Sequence, residues 1–104
     1  MNIKHTLALF LMFTLTGLAM AEDAGKAIFT AKCVICHGAD GSGETSIGKN
    51  LKIADFHSPD VKKLSDADLK AVITNGKNKM PAFKSKLTDA QIDQVISYVR
   101  ELGK

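Results

Sequence analysis

Two cysteines and a histidine stand close together in the first half of the chain, in the run Cys33-Val34-Ile35-Cys36-His37. In a helical turn, side chains three positions apart lie on the same side, so both thiols can reach one edge of a flat macrocycle. The adjacent His37 can then place an imidazole nitrogen on a metal at the centre of the ring. Cys-x-x-Cys-His is the spacing that attaches a c-type haem. The motif therefore predicts thioether bonds at Cys33 and Cys36, with His37 as the proximal iron ligand.

Other chemistries use a pair of cysteines at this spacing, namely a disulfide, a redox-active dithiol or half of a zinc site. None of these needs a histidine directly after the second cysteine. A zinc site would also need more ligands, and Cys33 and Cys36 are the only cysteines in the chain. A haemless module that uses the two thiols remains an alternative, and a visible absorption spectrum distinguishes it from a haem protein.

A second axial ligand for iron is offered by a single methionine. Three of the four methionines precede residue 22, which leaves Met80, between Lys79 and Pro81. Its segment lacks helical periodicity, whereas a methionine of a hydrophobic core usually follows that spacing. Pro81 fixes its own φ and favours an extended Met80, which stiffens the loop. We predict Met80 as the distal ligand, and His57 is the rival that would make a bis-histidine site of lower potential.

The first 21 residues have the pattern of a secretory signal peptide. A short head with Lys4 precedes an uncharged, leucine-rich run that ends in Ala-x-Ala at residues 19–21. As a helix this run would span about 24 Å, which is shorter than the ~30 Å of a bilayer core. Cleavage after residue 21 is therefore favoured over a permanent membrane anchor. We predict a leader over 1–21, one domain over 22–104, and export to a periplasm.

The composition limits both the partners and the core. A net charge of +3, from 14 basic and 11 acidic residues, gives no case for nucleic-acid binding. After residue 22 the aromatic residues are few, and the chain has no tryptophan. They are Phe29, Phe56, Phe83 and Tyr98. A domain this small buries a thin core, so a bound haem would supply the missing apolar bulk.

Three helical segments can be predicted from apolar spacing and capping patterns. The first covers about 23–32, the second begins at Ser65-Asp66-Ala67-Asp68 and ends at Asn75-Gly76, and the third runs from Thr88-Asp89-Ala90-Gln91 to Leu102. Each of the last two opens with a capping box and a hydrophobic staple. The glycine-rich stretch between His37 and Leu51 is predicted to be a loop. No strand pattern of useful length is present.

With these residues in place, the chain resembles the small class I cytochromes c throughout the region after the leader. The resemblance rests on the haem motif, on the Met-Pro pair and on a pattern shared by the first and last helices: Cys33, Cys36, His37, Met80, Pro81, Gly25, Phe29, Val95 and Tyr98. It implies an all-α fold in which three main helices and loops wrap around one covalently attached haem c. It also implies that the terminal helices cross at the glycine.

One position departs from the family's pattern. Many members have a proline two residues before a loop leucine, and its carbonyl accepts the proximal histidine Nδ1 proton. Here Lys49 stands at that distance before Leu51. The acceptor is therefore unassigned, as are the partners of the haem propionates, for which Lys49, Asn50 and Lys52 are candidates.

The residues and the resemblance together predict an exported mono-haem electron carrier, not an enzyme, that passes single electrons between redox partners of a respiratory chain. Contact with a membrane would be transient and through those partners. Four lysines near Met80 are candidates for docking: Lys77, Lys79, Lys84 and Lys86. The alternative is a haem-based sensor or scavenger of NO or CO in which the gas displaces Met80, and carbon monoxide binding to the reduced protein would separate the two.

Overall fold

The computed structural model describes residues 23–104, and the predicted leader with its cleavage site lies outside them. The described chain forms six helices, which we label α1 (23–32), α2 (Val34–His37), α3 (Ser46–Leu51), α4 (Pro59–Lys62), α5 (Asp66–Asn75) and α6 (Asp89–Leu102). These residues include no strand, and one isolated antiparallel bridge joins Lys77 to Met80. The predicted all-α fold is confirmed, and α1, α5 and α6 are the three predicted helices.

Side chains fix the beginnings of α5 and α6. Ser65 Oγ accepts the Asp68 N–H at 3.1 Å, and Asp68 Oδ2 accepts the Ser65 N–H at 3.1 Å. In the same way, Thr88 Oγ1 accepts the Gln91 N–H at 3.2 Å, and Gln91 Oε1 accepts the Thr88 N–H at 2.9 Å. Both capping boxes are confirmed, and each satisfies two N–H groups that lack an intrahelical partner.

The prediction of a continuous loop between His37 and Leu51 is wrong, because α3 lies within it. Thr45 Oγ1 accepts the Gly48 N–H at 2.8 Å and so caps α3, and it donates to the Cys36 carbonyl at 2.9 Å. A Cβ on Gly48 would lie 2.5 Å from that same carbonyl oxygen, so only glycine permits this approach. Glycine lowers helix propensity, and here tertiary packing overrides that preference.

The core forms where α6 meets α1 and α5. Ile92 and Ile96 of α6 pack with Leu69, Phe83 and Leu87. A second cluster joins α6 to α1 and is made of Phe29, Val95 and Val99. Phe29 is only 1% exposed, and its ring centre lies 5.4 Å from that of Tyr98. The predicted crossing of the first and last helices is confirmed.

Candidate haem site

Two neighbouring cavities lie beside this core and share six lining residues: Cys33, His37, Ala54, Val72, Met80 and Phe83. The inner cavity has a volume of about 140 Å³, and apart from the cysteine, histidine and methionine its lining is aliphatic and aromatic. The outer cavity has a volume of about 440 Å³ and is bordered by lysines as well as apolar residues. Together they form an apolar pocket with a polar mouth.

The short helix α2 positions the two cysteines. The Cys33 carbonyl accepts the N–H of Cys36 at 3.3 Å and that of His37 at 3.0 Å, which closes one helical turn. Cys33 borders both cavities and Cys36 borders the outer one. Both are half-buried thiols that form no disulfide. Burial raises the pKa of Cys33 to about 11, although the nearby Lys32 opposes this, so the free thiol is protonated at neutral pH.

His37 follows on the same turn and borders both cavities. Burial lowers the pKa of its imidazole, which is therefore neutral near pH 7, the form that can bind a metal. Its ring centre lies 4.9 Å from that of Phe56, with the planes inclined by 31°. Among the described residues its Nδ1 is buried and has no hydrogen-bond partner. The carbonyl of Lys49, at the family's proline position, accepts the Lys52 N–H at 3.3 Å.

Met80 reaches both cavities from a tight turn after α5. The Lys77 N–H donates to the Met80 carbonyl at 3.1 Å, and the Met80 N–H donates to the Lys77 carbonyl at 2.9 Å. Asn78, in the turn, has a φ of 55°. The Phe83 N–H then donates to the Ile73 carbonyl of α5 at 2.9 Å. Met80 is thus held by backbone hydrogen bonds on both sides, in addition to the restriction from the following proline.

The rival ligand His57 borders neither cavity. It is exposed, and its Nδ1 lies 2.6 Å from Asp55 Oδ1. Hydrogen bonds from the His57 backbone N–H and then from its ring lower the pKa of Asp55. Of the three propionate candidates, only Lys52 borders the outer cavity, and Lys49 forms an ion pair with Glu44 at 3.5 Å.

Phe56 is a site residue to which the sequence assigned no role. Besides facing His37, its ring centre lies 6.1 Å from that of Phe29, so it connects the imidazole to the core cluster of α1 and α6. Its position in the polar segment Asp55-Phe56-His57 was the available signal. A lone aromatic residue among polar neighbours often has a tertiary partner.

These residues fit an iron porphyrin. The inner cavity offers apolar walls for a flat ring, and a thiol pair on one helical turn can form thioethers. A neutral imidazole and a thioether border the same space. Nitrogen and sulfur ligands of this kind hold haem iron in electron-transfer proteins.

Comparison with known proteins agrees with this geometry. The family model described as "Cytochrome C oxidase, cbb3-type, subunit III" matches residues 20–99. A cytochrome c6 of Nostoc sp. is 42% identical over 100 residues, which cover 94% of this chain and 85% of that protein. A cytochrome c6 of Synechocystis sp. is 39% identical over 90 residues, which cover 85% of this chain and 72% of the relative. The chain belongs to the small class I c-type cytochromes.

A solved structure supports the same assignment for the fold of this cytochrome. The protein named KustC0563 c-type cytochrome superposes with a TM-score of 0.71 at 30% sequence identity, over 77% of this chain and 98% of that one. The cofactor of the cytochrome is one covalently bound haem c, and it transfers electrons with redox partner proteins. The comparisons thus favour the electron carrier over the gas sensor. Within residues 23–104, no helix is both long and apolar enough to cross a membrane.

Proposed function

We propose that this cytochrome is an exported carrier that passes single electrons between redox partners of a respiratory chain. One observation carries the proposal: Met80, which is more than 40 residues from Cys33 and His37 in the sequence, borders the same apolar cavity as they do. When bound, haem c supplies an iron centre that exchanges one electron at a time. The chain itself must hold the ring, provide ligands for the iron and exclude water.

Each site residue has a distinct task in this proposal. Cys33 and Cys36 hold the ring edge through thioethers, which fixes its position relative to the chain. His37 binds the iron through its neutral imidazole, and Phe56 supports that ring from one side. Met80 would hold the iron from the turn after α5, and its weakly donating sulfur would favour reduced iron. With His37 and Met80 both holding the iron, no coordination position would be left for a substrate.

The surface near Met80 supports docking of partner proteins. Lys77 and Lys79 border the outer cavity, and the Nζ of Lys86 lies 5.4 Å from the ring centre of Phe83, a residue of both cavity walls. With Lys84 they carry positive charge close to the site. An acidic partner would be steered towards the outer cavity by this charge, which would act mainly on the association rate.

Export to a periplasm is supported by the predicted leader over residues 1–21 and by the attachment chemistry, which needs reduced cysteines outside the cytoplasm. Intact-mass analysis of protein from the periplasmic fraction tests both the removal of the leader and the covalent attachment of haem. We expect a chain that begins at Glu22 and carries one haem that acidic acetone does not extract. The Cys33→Ser/Cys36→Ser double variant should lose that covalent haem, whereas Ile35→Ala, at the exposed residue between the cysteines, should keep it. A colourless protein with two free thiols would contradict the proposal.

A further inference from the structure

The carboxylates of a haem need polar partners, and the inner cavity has none to offer. Among the described residues, no side chain with a full charge borders it. An ionised carboxylate in such surroundings is costly unless it is paired. The outer cavity differs, since four lysines and Asn78 border it without any aspartate or glutamate from residues 23–104. These lysines are Lys32, Lys52, Lys77 and Lys79. The propionates therefore belong at the outer cavity.

The chemistry of the ring separates these lysines. Vinyl groups and propionates occupy opposite edges of the macrocycle, so a residue beside the thioether bonds lies far from the carboxylates. Lys32 directly precedes Cys33, so it lies at the vinyl edge of the ring, far from the propionates. Lys52 is the C-cap residue of α3 and has a left-handed φ of 56°. Its backbone N–H donates to the Gly48 and Lys49 carbonyls. Lys77 and Lys79 belong to the turn that carries Met80.

Within that turn, the bridge decides which lysine side chain accompanies the methionine. Residues paired directly across an antiparallel bridge project their side chains from the same face. Lys77 is paired with Met80 through two hydrogen bonds of 3.1 and 2.9 Å. Lys77 therefore shares the face from which Met80 reaches the cavities, whereas Lys79 lies in the turn between the two bridged residues and is not paired with Met80. Within residues 23–104, Lys77 forms no ion pair.

We propose that Lys77 binds a propionate of the bound haem c. The two residues that flank one tight turn, Lys77 and Met80, would then supply a carboxylate partner and the distal iron ligand. This rests on the proposed function, because it needs the ring to be attached at Cys33 and Cys36. It assigns Lys77 to cofactor binding and leaves Lys79, which is not paired with Met80, for contacts with partners.

The propionates can be observed directly in the holoprotein. Cells supplied with aminolevulinate labelled with ¹³C at its carboxyl carbon produce haem with label at the propionate carboxylates. A pH titration of the reduced holoprotein, followed by ¹³C NMR, then gives the midpoint of each carboxylate. A neighbouring cation lowers a carboxylate pKa by about 1–3 units, and this site is partly exposed. Lys77→Gln should therefore raise one midpoint by about 1 pH unit, while Lys77→Arg should stay close to the wild type.

Lys79→Gln is the matched control, because it removes the same charge from the same turn at a residue that is not paired with Met80. It should leave both midpoints unchanged. The proposal is overturned if Lys77→Gln moves neither midpoint, if Lys79→Gln moves them equally, or if Lys52→Gln produces the shift in place of Lys77→Gln. Failure of the proposed function has a different signature, since no labelled carboxylate would then remain with the chain after acidic acetone.

Discussion

Gly25 of α1 lies directly against the backbone of Gln94 of α6. A Cβ at residue 25 would lie 2.9 Å from the Gln94 carbonyl carbon, closer still to its oxygen, and 3.1 Å from Tyr98 Cβ. This contact sets the distance at which the terminal helices cross, and Phe29, one helical turn further along α1, packs with Val95, the residue after Gln94. The crossing closes the core beside which both cavities lie.

Gly25→Ala should destabilise the protein, because the added methyl group overlaps backbone that cannot move aside without separating α1 from α6. We expect a loss of about 1–3 kcal/mol in the free energy of unfolding, as for other overpacked sites, measured by guanidinium denaturation of the holoprotein. Lys26→Ala, at the exposed neighbouring residue, is the control and should change it by less than about 0.5 kcal/mol. Equal effects of the two substitutions would refute the crossing at Gly25.

Met80→Ala should change the haem spectrum, since we propose the thioether as the distal ligand. The long-wavelength charge-transfer band of the oxidised protein should disappear, the affinity for added imidazole should rise, and the reduction potential should fall. His57→Ala should leave all three unchanged, because His57 is exposed and bound to Asp55. A spectrum that responds to His57→Ala and not to Met80→Ala would make His57 the ligand.

The two capping boxes should respond differently to acid. Hydrogen bonds from the Ser65 backbone N–H and side chain lower the pKa of Asp68, so its contribution to stability is present above the unfolded-state pKa of about 3.9 and is lost as the pH falls below it. The destabilisation caused by Asp68→Ala should therefore shrink between about pH 7 and pH 3. Gln91→Ala removes the corresponding side chain from the capping box of α6. Because an amide does not titrate, the destabilisation that this substitution causes should be the same at both pH values. If guanidinium denaturation showed the same pH dependence for Asp68→Ala and Gln91→Ala, a role for the ionised Asp68 carboxylate in its capping box would be ruled out.

Electron transfer to an acidic partner should slow as salt is added. Between about 0.01 and 0.15 M salt the Debye length shrinks from about 30 to 8 Å, and a steered second-order rate should fall by about tenfold or more. Lys79→Glu should lower the rate at low salt and flatten the dependence, as measured by stopped-flow absorbance. Lys104→Glu, at a residue that borders neither cavity, should retain the wild-type slope. Wild-type rates that are insensitive to salt would leave the lysines without a role in docking.

Local patterns in the sequence determined much of this protein. The haem motif and the two capping boxes each depend on residues within one or two helical turns, and Met80 was identified as the one methionine after the predicted leader. Such signals are readable because spacing along a helix fixes which side chains meet. The bounds of α5 and α6 were predictable for the same reason, since Ser65 and Thr88 satisfy their own helix ends.

Only the tertiary structure decided which distant residues share a space. Helix α3 was missed because its stretch is rich in glycine, which lowers helix propensity, and the close approach of Gly48 to the Cys36 carbonyl is not encoded in any local propensity. The neighbour of His37 proved to be Phe56, and the bridge that places Lys77 beside Met80 has no signature in charge or hydropathy. These relationships depend on backbone hydrogen bonds and close approaches between separate segments, so they are fixed when the chain packs and not when its helices form.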